Sequence, residues 1–413
     1  MATVDAKLAW LRDALGVKLD ALGDAIGDAI DSVGDAVEDL SDKVFAPQAS
    51  EVQKRLQQEV KGLETLGLDT KRLKGDQAEQ ERALADAAKI ADPDQREAAT
   101  KRARRRMQEL EKHAEALAGA AKKVMGEAKG PPDDTQKAAI YKQALQDRYD
   151  LEITVPKGMT NTHMDRVYDM MGTVPAKQAK HRKLKKLTYS KAADDAGSGA
   201  YGDAEIEMGD FGAATGSEDY ETDGQKIPAN SFDVTTLHEM GHALDDRRGI
   251  MAKHMAKPGC GGWRTESKES VADALVAFFR KKVSVDKEIT DQVARDAILA
   301  ALSGTTPAAP AGAKDSDWQK VVKFLADYPA KVIGSYKPWF KAAVDVDGRA
   351  YIQSYSSRWN SYEVAARQKT KVNDYQWRAP GEWFAEVYAI SWLAKKEPPA
   401  AVDAAISEHC WKP

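Results

Sequence analysis

Residues 238–242 read His238-Glu239-Met240-Gly241-His242. On a helix the i, i+4 spacing puts both imidazoles on one face, where they can share a metal ion. Glu239 is turned about a third of a turn away from His238, near enough to take a proton from an activated water without being a ligand. Five residues of this pattern also arise by chance, as a polar helix face whose histidines do nothing special. The surrounding residues favour the chemical reading. Val234, Leu237 and Met240 can pack on a core side, Asp233 can act as the helix N-cap, and Gly241 and Ala243 leave room for a second helix or a substrate.

A zinc ion held by two histidines needs a third protein ligand and keeps its fourth position open. The spacing HExxHxxGxxH/D does not supply one, because Asp245 stands at the glycine position and Arg248 at the ligand position. A glutamate from another helix is the remaining common solution, with two candidates: Glu269 in ESVAD and Glu382 in GEWFAE. Glu269 and Asp273 have the ExxxD spacing of thermolysin-like peptidases, which places ligand and outer acid on one face. Their helix also carries Val271, Leu275, Phe278 and Phe279, so ESVAD can equally be the polar edge of an amphipathic helix. Glu382 has the same one-face arrangement through Glu386, which could accept the free ring N–H of a histidine ligand. Asp245 or Asp246 could do the same, or could pair with Arg247 or Arg248.

HEMGHALDD together with the later GEWFAE resembles the two active-site helices of the anthrax lethal factor catalytic domain and its relatives, among them the Pro-Pro endopeptidases. The resemblance implies a gluzincin in which Glu382 is the third zinc ligand. It also implies that Tyr375, seven residues earlier, points into the site as a donor to the developing oxyanion, with Glu239 as general base. It covers the C-terminal part of the chain only. The first 130 residues match nothing of the lethal factor's recognition regions, so the reaction carries over and the substrates do not.

The elements that must position these residues follow from the rest of the chain. At 413 residues and 42% hydrophobic content the chain can build at least one sizeable core. The 61 basic and 65 acidic residues leave a net charge of −4, which offers no global attraction for nucleic acid or an anionic membrane. Cys260 and Cys410 form no CxxC pattern and read as two free thiols. The N-terminus lacks the signature of a signal peptide, and no stretch approaches the ~18 apolar residues of a transmembrane helix. Synthesis in the cytoplasm, followed by export through a specialised secretion system, is the expectation.

Three regions are expected: residues 1–46, 47–130 and 131–413. Along residues 8–44 apolar side chains recur every three or four positions, a helical stripe weakened by Gly16, Gly23, Gly27 and Gly34. Its other face is acidic, so it reads as a segment that packs on the protein or docks on a carrier or delivery machine rather than on lipid. Residues 50–129 have helical-bundle composition, with a hairpin turn at Asp92-Pro93-Asp94. KRARRR at 101–106 reads as a solvated helix face. Gly130-Pro131-Pro132 marks the boundary to the third region. There a helix at 135–148 and strands at 151–155, 185–190 and 200–209 precede the His238 helix. Helices at 264–282, 287–302, 317–327, 380–393 and 399–408 follow it. Residues 216–224 are an acidic loop, and 305–317 a second loop.

The expected fold is therefore α+β and mostly helical: a helical or coiled-coil N-terminal region, then a gluzincin-type metallopeptidase domain with a small sheet and a HExxH helix. The expected function is zinc-dependent endopeptidase action on a protein held extended along the strand at 200–208, in a toxin or delivered effector. The alternatives are an intracellular housekeeping peptidase and a non-catalytic helical partner with a degenerate metal site.

Overall fold

The computed structural model describes residues 49–126, 130–154, 161–189, 199–209, 217–222, 225–334, 345–354, 357–370, 372–394 and 406. The glycine-striped segment at 8–44, Cys410 and nearly all of the helix expected at 399–408 lie outside them. The fold is mostly helical with small sheets, and among the described residues no helix is long and apolar enough to cross a membrane. The chain divides into two compact units, Met1–Ala118 and Gly119–Pro413.

In the first unit lie α1 (Ala49–Thr65), α2 (Lys71–Ala87) and most of α3 (Pro93–Met125). Asp92 caps α3 by accepting the Gln95 N–H at 2.8 Å, so the DPD turn falls where breaker chemistry puts it. Leu56, Leu63, Met107 and Ala114 are buried, and Arg55 on α1 pairs with the buried Glu111 on α3. The basic run is only partly solvated. Arg102 is exposed, whereas Arg104, Arg105 and Arg106 are half-buried, and Arg106 lies 3.9 Å from Asp76.

The second unit begins its folded path with α4 (Asp134–Tyr149), started by a reciprocal capping box between Asp133 and Gln136. β1 (Glu152–Thr154), α5 (Asn161–Met171), the short α6 (Ala176–Ala179) and β2 (Lys186–Tyr189) follow. The stretch at 200–209, read above as one strand, is two: β3 (Ala200–Gly202) and β4 (Glu205–Met208). Asp203 and Ala204 between them both have positive φ, the signature of a tight two-residue hairpin turn. The sheet runs β1-β2-β4-β3, with β1, β2 and β4 parallel and β3 antiparallel at the edge. The acidic stretch at 216–224 belongs to a second hairpin rather than a loop, β5 (Ser217–Thr222) with β6 (Gln225–Asn230).

The site helix α7 (Ser231–Arg248) is followed by α8 (Ile250–His254). Asp233 is inside the first turn of α7 and not its N-cap; there it favours the helix dipole and lies 3.7 Å from Arg166. The helix expected at 264–282 is present except for its first four residues. β7 (Arg264–Glu266) comes first, then α9 (Lys268–Lys282), α10 (Asp291–Leu302), α11 (Asp315–Asp327) and α12 (Pro329–Gly334). Leu275, Phe279, Ile298 and Phe324 form the centre of a helical core here.

A second sheet then appears that sequence reading did not anticipate. β8 (Asp345–Val346), β9 (Arg349–Gln353) and β10 (Trp359–Glu363) join β7 in the antiparallel order β7-β10-β9-β8. Asp347-Gly348 makes its tight turn, a signal present in the sequence. α13 (Val364–Thr370), a 3-10 turn at Tyr375–Trp377 and α14 (Pro380–Ala394) complete the described chain up to residue 394.

Candidate metal centre

α7 and α14 build the site between them. Every residue of α14 from 382 to 391 is buried, as expected of a helix apolar on all sides. Gly241 is where the two helices touch: a Cβ there would lie 2.9 Å from the Ala385 Cα and 3.4 Å from the Tyr388 Cβ. The small residues of HEMGHA thus admit a second helix at backbone distance, and that approach carries Glu382 to the two histidines.

Three ligand atoms converge. His238 Nε2 is 3.0 Å from Glu382 Oε2, His242 Nε2 is 3.3 Å from the same oxygen, and the two Nε2 atoms are 3.1 Å apart. The three groups offer ligand atoms that all lie within 4.8 Å of one another, and together they could hold a metal ion. The chemistry of the set fits one: two imidazole nitrogens cannot face each other and a carboxylate at these distances without a shared cation or proton. His238 and Glu382 are buried, while the His242 side chain keeps 21% of its surface exposed.

The back of His238 is also held, its Nδ1 lying 2.9 Å from Glu386 Oε1. That contact sets the tautomer in which Nε2 faces the cluster. Burial opposes charging of His238, but the hydrogen bonds of Glu382 and Glu386 outweigh it and raise the pKa well above that of an ordinary imidazole. Glu382 is likewise penalised by burial, and its bonds to His238 and His242 hold it well below the usual carboxylate range. Without a metal, the carboxyl groups of Glu382 and Glu386 on either side of His238 favour its protonated form.

Glu239 is buried beside the ligands, and burial raises its pKa against the pull of His238 and His242. Its carboxylate accepts the backbone N–H of Tyr201, from the edge strand β3. The Gly202↔Glu205 pair closes the hairpin turn, so at the next pair, Tyr201↔Ile206, the Tyr201 backbone groups point away from β4 and toward α7. The Tyr201 hydroxyl lies 2.8 Å from both the Lys183 carbonyl and Asp246 Oδ2. Neither strand residue nor its helix partners were legible as a pair.

Tyr375 stands with its ring centroid 5.7 Å from that of His238, edge to face. Burial, then the nearby Glu382, raise its pKa, so the hydroxyl stays protonated. The Arg378 guanidinium lies 4.7 Å from the Tyr375 ring centroid. Its 3-10 turn is anchored by Trp377, which stacks on Trp263 at 5.8 Å and packs on Tyr362 at 4.7 Å in a buried aromatic cluster. Gly261, with φ +98, makes room for that cluster: a Cβ there would fall 2.4 Å from Trp263 Nε1.

The remaining sequence candidates lie elsewhere. Asp245 accepts the Met251 N–H at 2.7 Å and so tethers α8 to the end of α7. Asp246 is exposed, bound to Tyr201 and 3.5 Å from Lys183. The bonds they make hold backbone and strand, not a histidine ring. Glu269 is exposed in the first turn of α9 and outside the cluster, its carboxylate held low by its own backbone N–H and Ser267. Asp273 pairs with Arg295 at 2.6 Å on the same surface. No protein-family model, curated protein or solved structure matches the chain.

Proposed function

We propose that the second unit is a zinc-dependent endopeptidase of the lethal-factor type. The observation that carries this reading is the convergence of the His238, His242 and Glu382 ligand atoms within 4.8 Å, with the buried Glu239 one residue beyond a ligand. Two imidazoles and one carboxylate are the protein ligands of a catalytic gluzincin centre. A zinc ion bound there supplies Lewis acidity toward a peptide carbonyl and a water.

Glu239, its pKa raised by burial, is suited to take a proton from that water and return it to the departing amine. Tyr375, kept protonated, is placed to donate to the oxyanion that develops at the scissile carbonyl. A substrate held along 200–208 is not part of this reading, because β4 is covered on both sides and the one residue of β3 whose backbone faces outward, Tyr201, turns it toward α7. The delivery role expected from residues 8–44 rests on residues outside those described.

Digestion of a peptide library by the zinc-loaded chain tests the reading. Glu239→Ala is expected to abolish hydrolysis while zinc stays bound, and Tyr375→Phe to lower turnover about 100-fold with little change in peptide binding. Cleavage undiminished in Glu239→Ala removes the peptidase reading.

A further inference from the structure

Asn373 lies two residues before Tyr375, in the loop that enters the 3-10 turn, and its amide faces two ways. Oδ1 accepts the backbone N–H of Gln376 at 2.9 Å, capping the turn that carries Tyr375. Nδ2 donates to Glu386 Oε2 at 2.6 Å. The orientation of the amide is fixed by its partners, since only the oxygen can face an N–H and only the nitrogen a carboxylate. Glu386 spends its other oxygen on His238 Nδ1 and is itself 5% exposed, so loss of the Asn373 bond leaves a carboxylate oxygen buried without that donor.

We infer that Asn373 is a positioning residue, the outermost member of a chain Asn373–Glu386–His238 that orients the histidine ligand and ties it to the turn bearing Tyr375. The inference rests on the reading of the cluster as a zinc site. Glu386 without Asn373 is free to rotate about its terminal torsion, and the His238 ring follows the oxygen that holds it. The rest of the turn does not depend on this bond. Gln376 accepts the Val372 N–H and donates to the Thr370 carbonyl, each at 2.8 Å, and Arg367 reaches Asp374 at 2.8 Å. The Nδ2 bond therefore reaches the ligand, while the loop is held by these other bonds together with the Oδ1 cap.

The test is zinc affinity of the full-length protein by chelator competition, which does not require turnover. Asn373→Ser keeps a hydroxyl that can cap the Gln376 N–H but is too short to reach Glu386. It is expected to bind zinc about 10-fold more weakly, and Glu386→Ala about 10–100-fold more weakly. The double variant is expected to be no weaker than Glu386→Ala alone, because both act through the same bond. Wild-type affinity in Asn373→Ser, or losses that multiply in the double variant, overturn the inference.

Asn373→Asp, isosteric with the native side chain, covers the case in which the serine variant does not fold. Joined to Glu386→Gln it rebuilds one N–H···O bond in the reverse sense, and should bind zinc more tightly than the product of the two single losses. A pair that follows the product counts against Asn373. His238→Ala separates the two readings: if it too leaves zinc affinity unchanged, the metal site itself falls, whereas a loss there beside an unaffected Asn373→Ser removes only Asn373.

Discussion

Two helices of the second unit carry acids one turn apart, Glu269 and Asp273 on α9, Glu382 and Glu386 on α14, and the fold treats them in opposite ways. On α9 both acids face solvent and only the other side, with Val271, Leu275 and Phe279, is buried. On α14 the residues between the acids, Trp383, Phe384 and Ala385, are buried together with the acids themselves. Spacing places two carboxylates on one face; it does not say which face that is. The apolar residues between and around them do, because a helix apolar on all sides drags its carboxylates into the interior, where they must be paired.

Removing one acid from each helix gives the largest expected contrast. Glu382→Gln should weaken zinc binding by at least about 100-fold, since it removes a ligand, while Glu269→Gln should leave affinity unchanged. Chelator competition reads both. Equal affinities in the two variants would erase the distinction between the helices.

The next largest effect comes from the contact that α14 has and α9 lacks. Gly241→Ala forces a Cβ to 2.9 Å from the Ala385 Cα, and backbone there has no cheap way to yield. Global stability should fall by about 1–3 kcal/mol in denaturant unfolding, and zinc affinity with it as Glu382 is pushed from the histidines. Unchanged stability and affinity would mean that the helices can separate without disturbing the triad.

A smaller effect per unit change is the pH dependence of the buried cluster. In the metal-free protein burial opposes the charge on His238 but Glu382 and Glu386 raise its pKa, and zinc needs that nitrogen neutral. Below the raised pKa, zinc uptake should release a proton and affinity should climb about tenfold per pH unit, levelling above it. In the metal-free protein the sign reverses: the stability due to a raised imidazole pKa is complete below the ordinary value of 6.5 and is lost as pH rises through the folded value. Calorimetry in buffers of different ionisation enthalpy reads the proton, and a flat profile would contradict the raised pKa. The exposed acids of α9 give the smallest effect: Asp273→Asn, which breaks the exposed pair with Arg295, should shift neither the thermal midpoint nor zinc affinity.

The sequence made the helices and the histidine pair legible because both are written in local pattern, whereas Glu382 stood beside Glu269 as one of two candidates and was pointed to by the resemblance of GEWFAE. The i, i+4 histidines, the apolar Val234, Leu237 and Met240 that are indeed buried, and the small Gly241 lie within three turns of one helix. The DPD turn is equally local, whereas Asp233, expected at the cap, lies inside its helix. What stayed hidden is long-range. β7 pairs with β10 about a hundred residues on, and no property of the segment at 264–266 distinguishes it from a helix start. Asp245 and Asp246 face a neighbouring helix and an edge strand, whose positions their own sequence does not carry. Asn373 left a faint signal, an asparagine that can cap the short turn of Tyr375; its second bond, to Glu386, had none.

The bond between His238 and Glu382 spans 144 residues of chain. At ribosomal rates of 5–20 residues per second, the two histidines precede their carboxylate by roughly 7–30 s. Through that interval the first half of the site has two ligands and no closing helix, and any metal it holds is held loosely. Closing so long a loop comes late in folding, after the local helices and hairpins have formed. On the reading of the cluster as a metal site, its three ligands come together only when α14 docks at Gly241, and a nascent chain that has not yet made α14 lacks one of them.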